Sequence, residues 1–398
     1  MSTGPLSPYR IVDLTRVLAG PFCTMQLADL GAEVIKVEAP GRGDDTRAWG
    51  PPFVEGESAY FMSINRRKRS LTLNLKAPAG KDVLWRLLER SDVLVENFRP
   101  GALERLGFGY EEVSARLPKV VYCSISGFGH TGPDSHLPGY DVLIQGEAGL
   151  MSLTGEAQGP PCKVGTSISD VTAGMAAVSG ILAALLERER TGKGRHVDIA
   201  MLDVSASLLT YQAGIYFATD EPPQRRGNAH PTIVPYSTYP CSDGTIIVAV
   251  GNDSLFERFC KVIERPELLD DARFSTAAAR VENRAAMDEL LGQLLPQKTR
   301  DQWIEGLRGE GVPCGAVRTV GEICTSPQLE ARGMLQRVDH PVAGSVGQVG
   351  SPLVMHGGED AGPMSPPPGL GQHNRELLTE LLGLSADEVA KLEEDGVV

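Results

Sequence analysis

Two consecutive β-α-β patterns near the start of the chain constrain its fold more than any other feature. Residues 10–14 are a short apolar run, residues 21–30 repeat with a helical period, and Gly31 falls where a helix-terminating glycine belongs. Residues 33–38 then alternate as a strand does. Residues 70–75 read as the next strand, residues 81–90 as a helix opened by Pro78, and residues 92–96 and 119–124 as further strands. Strands alternating with helices predict an α/β fold with a doubly wound parallel sheet. Ligands in such sheets bind beyond the carboxyl ends of the strands. The loops at residues 18–21, 38–47, 97–105 and 127–141 are therefore where a site is expected.

Further along, residues 171–188 form a long apolar helical pattern, followed by a strand at 196–199 and a helix at 202–218. A stretch rich in Pro, Arg and Gly at 220–235 marks a boundary. Beyond it, a strand at 245–250 and amphipathic helices at 255–263, 284–295 and 300–309 predict a smaller α+β domain. The expected division is 1–225 for the large domain with the reactive residue, 226–330 for the small one, and 331–398 for a segment returning to the large one. With 398 residues and 41% hydrophobic content, the chain buries a sizeable core and is not disordered. A formal charge of −13 argues against nucleic acid as a partner. Seven scattered cysteines without a C-x-x-C pair suit reduced thiols, and the longest apolar stretch, 176–186, is too short to span a bilayer. The expectation is a cytoplasmic protein with no membrane partner.

Three constellations carry chemical possibilities. Residues 65–69, Asn-Arg-Arg-Lys-Arg, are the densest positive run and read equally as a solvated turn or a phosphate site. No G-x-G-x-x-G follows the first strand and no Walker-type loop occurs, so the common dinucleotide and nucleoside-triphosphate enzymes are disfavoured. Asp170 precedes the long apolar helix, where an aspartate is usually an N-cap. A carboxylate kept ionised by a helix N-terminus also suits covalent catalysis through an acyl anhydride. His130 and His136 have no third ligand at metal spacing, so no metal is expected.

Several ordered blocks resemble the class III CoA-transferases, the formyl-CoA transferase and carnitine CoA-transferase type. They are Val12-Asp-Leu-Thr-Arg-Val-Leu-Ala-Gly-Pro21, Leu30-Gly-Ala-Glu-Val-Ile-Lys-Val-Glu38, residues 65–76, Val95-Glu-Asn-Phe-Arg-Pro-Gly101 and Asp170-x-x-x-Gly174. Val312-Pro-Cys-Gly-Ala316 and Gly371-Gln-His-Asn-Arg-Glu376 extend the resemblance over the whole chain. Within the family, residues 43–52, Ala229-His230 and Ile233-Val-Pro-Tyr236 are most similar to the succinyl-CoA:glutarate type.

The resemblance implies a Rossmann-like large domain, a small domain and an interlocked two-ring homodimer. It implies CoA esters as substrates with no tightly bound cofactor, and a free carboxylic acid, here a C4–C6 dicarboxylate such as glutarate, as the other partner. Asp170 matches the nucleophile that forms an aspartyl anhydride and then an aspartyl-CoA thioester. Leu18 and Ala19 match the loop beside the CoA thiol, while Leu73, Asn74, Leu75, Lys76, Asn97, Phe98, Arg99 and Arg105 match CoA-lining positions. Tyr140 and Asp141 match a pair near the nucleophile, and Met201 a residue near the nucleotide. Leu18 stands where formyl-CoA transferases have glutamine, and no glycine-rich loop occurs between Arg226 and Gly244, which disfavours oxalate and formate. Acyl-CoA racemases of the same superfamily carry histidine in a turn that here reads Gly139-Tyr-Asp141, and tyrosine is a poor base at neutral pH. A catalytically inactive CoA binder is the third alternative. A distal carboxylate needs a cation or several donors. Arg47, Arg66, Arg225, Arg226 and His230 are candidates, with Arg47 and His230 favoured because they fall in the glutarate-type blocks.

Overall fold

Six strands pair into one parallel sheet: β1 (Arg10–Asp13), β2 (Glu33–Glu38), β3 (Lys68–Thr72), β4 (Val93–Glu96), β5 (Val121–Ser126) and β6 (His196–Ala200). Their spatial order is 3-2-1-4-5-6, so the winding reverses between β1 and β4. That switch point opens a crevice at the carboxyl ends of these two strands. The structure is a computed structural model describing residues 3–398.

Strands buried on both sides send alternate residues to opposite faces. Val12, Ile35 and Leu94 enter one core with Leu84 and Leu87 of α2 (Pro78–Leu88). Their neighbours Ile11, Val34 and Val93 enter the other with Leu27 of α1 (Ala19–Asp29). The second face is also covered by α4 (Ile168–Thr191), through Ala173, Ala177, Ile181 and Leu185. A shorter helix, α3 (Asp141–Glu147), precedes it in the chain, and α5 (Met201–Ser207) follows β6. The 24 residues of α4 exceed the apolar stretch read from sequence and suffice, by length and composition, to cross a membrane. Its inner face nonetheless belongs to the core of this unit. The helix expected at 202–218 is two, Met201–Ser207 and Thr210–Thr219, broken where Thr210 takes φ 40°.

The edge strand β3 would leave ladder groups unpaired, a liability in any open sheet. The segment matching Gly371-Gln-His-Asn-Arg-Glu376 covers it. Ser70 N–H donates to His373 Nδ1 at 3.1 Å, Thr72 N–H donates to Asn374 Oδ1 at 2.9 Å, and His373 N–H donates to Ser70 O at 3.0 Å. Burial, then Arg69, lowers the His373 pKa and so favours the neutral ring that can accept. Leu377, Leu378, Val389 and Leu392 then pack into the α2 core.

The chain divides into two compact units: residues 3–150, 163–214 and 327–398 form the one just described, and residues 151–162 with 215–326 form the second. The sequence placed the boundary at 225/226 and kept 151–162 in the first. Within the second unit, antiparallel strands Tyr236–Cys241, Gly244–Ala249 and Cys314–Ala316 carry Ile246 and Val248 into a core with Phe256, Phe259, Met287, Leu291 and Trp303. Arg280 is buried there, bound to Val234 O, Phe274 O and Asp253 Oδ1.

Replacing His373 or Asn374 by Leu removes an acceptor from a ladder N–H, which costs about 1–3 kcal/mol for an unsatisfied buried group. Hydrogen exchange should accelerate at Ser70 and Thr72 and stay unchanged at β4 and β5. Unaltered exchange at β3 would show that the edge is not closed by these side chains.

Candidate active site

The loop leaving β1 runs into α1, and Leu18 occupies the N-cap position without a side-chain cap. The first N–H groups of a helix have no intrahelical acceptor, so Ala19 and Gly20 present donors at this end. Helix α4 meets the same turn. The Asp-x-x-x-Gly spacing puts Asp170 and Gly174 on one helical face. A Cβ on Gly174 would lie 2.6 Å from Ala19 O and 3.3 Å from Cys23 N. Only glycine lets α4 approach α1 this closely, and the approach carries Asp170 into a cleft of about 190 Å³ that Leu18 and Ala19 also line.

Asp170 is half-buried in the first turn of α4 and does not cap it. Among the described residues no donor reaches its carboxylate. Burial, and then the charge of Asp141, push its pKa up to about 7. From sequence, the helix N-terminus is expected to keep it ionised; burial and a like charge act the other way and favour the neutral form. Asp141 is held elsewhere: Oδ1 accepts Ser169 N–H at 2.9 Å and Oδ2 accepts Gln145 Nε2–H at 2.7 Å. Gln145 in turn accepts Val164 N–H at 2.8 Å. Asp141 thus ties the first turn of α4 to α3. Gly127 and Gly139 touch where their loops cross, since a Cβ on Gly139 would fall 2.2 Å from Gly127 Cα.

Tyr140, Asn97, Phe98, Arg99 and Met201 line the same cleft. A second cleft, about 270 Å³, is lined by Leu73, Asn74, Leu75, Lys76, Val37 and Ala39, and both clefts share Arg16, Asp45 and Phe98. The structure therefore brings together nearly all the sequence-derived positions. Arg105 is exposed and lines neither cleft.

The basic run 65–69 is neither a solvated turn nor a phosphate site. Arg66 holds Asp29 through two bonds of 3.0 and 2.6 Å, Lys68 pairs with Asp13 at 3.1 Å, and Arg69 pairs with Glu33 at 2.6 Å. Arg67 donates to the carbonyls of Ala361, Gly362 and Pro363. Buried cations have to be paired, and these are. Arg47 likewise grips Glu38 with two bonds of 2.7 Å and lies 3.7 Å from the Phe61 ring centre. His230 belongs to the second unit, where its Nδ1 accepts Thr232 N–H at 3.2 Å and its ring lies 5.1 Å from that of Tyr236.

Sequence reasoning missed Arg16 and Arg42, the latter lining the second cleft. It also missed Tyr60, whose pKa is pushed up to about 12 by burial and then by Asp170, and Trp49, packed edge-on against it with ring centres 5.3 Å apart. No spacing rule marks them. Arg16 and Trp49 had a signal only as parts of the blocks at 12–21 and 43–52, and Arg42 only as part of the loop at 38–47.

Residues 6–374 match the profile of CoA-transferase family III. A succinyl-CoA:glutarate CoA-transferase of Mus musculus is 41% identical over 397 residues, covering 100% of this chain and 91% of that one. An acetyl-CoA:oxalate CoA-transferase of Acetobacter aceti is 42% identical over 358 residues, covering 90% of each. The crystal structure of a CAIB/BAIF family protein from Brucella suis superposes with a TM-score of 0.86 at 42% identity, covering 96% of this chain and 100% of that one.

Gly174→Ala tests the packing that sets the site. The added methyl forces α4 away from Ala19, and overpacking of this kind costs about 1–3 kcal/mol. CoA-transfer activity should fall about 100-fold in protein that circular dichroism shows to be folded, since a small displacement of reacting groups has that effect. Full activity would mean that α4 does not need this contact.

Proposed function

Because this chain belongs to CoA-transferase family III and is an enzyme that transfers CoA between an acyl-CoA and a free acid, we propose that Asp170 is its nucleophile and a C4–C6 dicarboxylate its acid. One observation carries the reading: a carboxylate without a bound donor faces a cleft at the sheet's switch point, beside a second, more apolar cleft.

In this mechanism the Asp170 carboxylate attacks the thioester carbonyl. A C–O bond forms, the C–S bond breaks, and CoA leaves as thiolate. The thiolate then attacks the aspartyl carbonyl of the anhydride, forming an Asp170-CoA thioester and freeing the first acid as carboxylate. The second acid runs both steps backwards, so no net proton or electron is exchanged. The acyl end lies in the cleft of Asp170, against Leu18, Ala19 and Met201. The remainder of CoA passes Phe98 into the cleft of Leu73, Asn74, Leu75 and Lys76, with Arg99, Arg105 and Lys76 toward its phosphates. Two cations line the Asp170 cleft, Arg16 and Arg99. They are the means of meeting a distal carboxylate in that cleft: Arg16 pairs with Asp45 at 3.3 Å, a longer and more exposed contact than the 2.7 Å grip of Glu38 on Arg47.

An interlocked homodimer completes the proposal. Met175, Leu186, Val142 and Leu143 are exposed on the large unit, and apolar surface of this kind suits self-association. A cytoplasmic setting suits seven free thiols. The oxalate-named relative, as similar as the glutarate-named one, supports a second reading in which oxalate is the acid.

Asp170→Asn and Asp170→Ala should abolish transfer and leave the protein folded, and mass spectrometry should find CoA attached at residue 170 only in the parent. More than a few per cent of residual turnover, after allowing for deamidation of Asn, would remove Asp170 from the role. For the parent, kcat/KM should rise with pH through about 7, as the carboxylate ionises. The raised pKa means that protonation stabilises the folded state, a contribution full at low pH and lost as pH rises through about 7. Asp170→Asn should therefore raise Tm more at high pH than at low pH. A flat rate profile would contradict this titration.

With succinyl-CoA as donor, glutarate should exceed butyrate as acceptor by at least about tenfold, the worth of ~1.4 kcal/mol. Arg16→Gln and His230→Gln test whether either residue contributes to that gap. Equal use of butyrate would exclude a dicarboxylate site, and preference for oxalate over glutarate would favour the second reading.

A further inference from the structure

The turn between β1 and α1 contains a backbone conformation that its own residue does not favour. Val17 has φ 69°, in the left-handed region, where a β-branched residue is a true outlier. It lines the Asp170 cleft next to Leu18. Such conformations persist where the surroundings over-determine them, and here the surroundings are explicit.

Four consecutive backbone groups are gripped from three directions. Lys36 Nζ–H donates to Thr15 O at 2.8 Å. The Asn97 amide takes both polar groups of Arg16: N–H donates to Oδ1 at 2.8 Å, and Nδ2–H donates to the carbonyl at 2.7 Å. Val17 N–H donates to Asp44 Oδ1 at 3.2 Å. Lys36 and Asp44 pair with each other at 2.9 Å, and both side chains are fully buried. Asp44 is fixed further by Thr46, whose N–H and Oγ1–H donate to Oδ1 at 3.0 and 2.8 Å.

We propose that Lys36, Asp44 and Asn97 are positioning residues for CoA transfer: they hold Val17 in its left-handed conformation and thereby fix the Leu18–Ala19 turn against Asp170. Lys36 and Asp44 line no part of the Asp170 cleft, so they reach it through the backbone, although Asp44 also borders the second cleft. If the grip loosens, Val17 relaxes toward an ordinary φ and the next peptide rotates, displacing Leu18 and the first donors of α1. The expected signature is a loss in turnover with little change in binding of the CoA ester. The inference rests on CoA transfer through Asp170 as the reaction.

The test compares the parent, Asp44→Asn and the double variant Lys36→Met/Asp44→Asn, each with and without Val17→Gly. The double variant leaves no unpaired buried charge. Kcat should fall about 100-fold, as for small misplacements of reacting groups, while KM for the CoA ester moves less than about threefold. Glycine adopts positive φ without strain, so Val17→Gly should restore kcat about tenfold in the loosened backgrounds. General destabilisation would not be rescued this way. Should the double variant not fold, Asn97→Ala loosens the same turn from a more exposed side, with the same fall in kcat and the same rescue expected. An unchanged kcat in folded variants overturns the proposal. So does an unrescued loss in a variant whose crystal structure keeps residue 17 at positive φ. CoA labelling of residue 170 in the parent reads the reaction separately. If that labelling fails while φ at residue 17 flips in the variants, the reaction is wrong and the grip stands.

Discussion

Charge neutrality out of water is the condition on which the carboxyl ends of β1 and β2 depend. Asp13, Glu38 and Asp44 lie there, matched by Lys68, Arg47 and Lys36. An unpartnered ion at this depth would cost several kcal/mol, so each of these acids is found with its base. Burial alone would push the Asp13 pKa up, yet Lys68 and Lys36 hold it down to about 2. Asp170, in the same unit, has burial and the nearby Asp141 but, among the described residues, no cation paired with it, and sits at about 7. One residue type is thus structural at one place and reactive at another, and the difference is the counter-ion.

The parallel sheet was legible because buried strands and their helices repeat with periods that sequence displays directly. Strands β1, β2 and β4 fall within a residue or two of expectation. The strands of the second unit were harder. Residues 236–241, with Pro240 inside, give no clean alternation, and neither do residues 335–340 of the large unit, mostly polar. The run 65–69 was misread for a different reason. Charge density along a sequence says nothing about partners contributed from elsewhere, and Asp29, Asp13 and Glu33 come from other elements.

At the site, resemblance supplied the residues and geometry supplied their reasons. Gly174 follows Asp170 by four because two helices have to touch at that level. Asn97, expected to line CoA, also binds the backbone of Arg16. The left-handed Val17 had no signal at all, since such a conformation is imposed by neighbours and not encoded by valine. Arg47 shows the converse. It lies in a block shared with the glutarate-type enzymes, and its guanidinium is turned inward onto Glu38.

The edge of β3 is closed by residues 303 positions away, Ser70 meeting His373. During synthesis that edge stays open while every residue of the second unit emerges, because residues 215–326 precede the closing segment. The nascent large unit therefore passes through a long interval with an unpaired strand, the state in which chains recruit chaperones or pair with one another. The second unit, whose strands and helices lie mostly within one continuous stretch, has no such wait. The two halves of this protein consequently meet different hazards at the ribosome, set by where in the chain the last interacting residue is written.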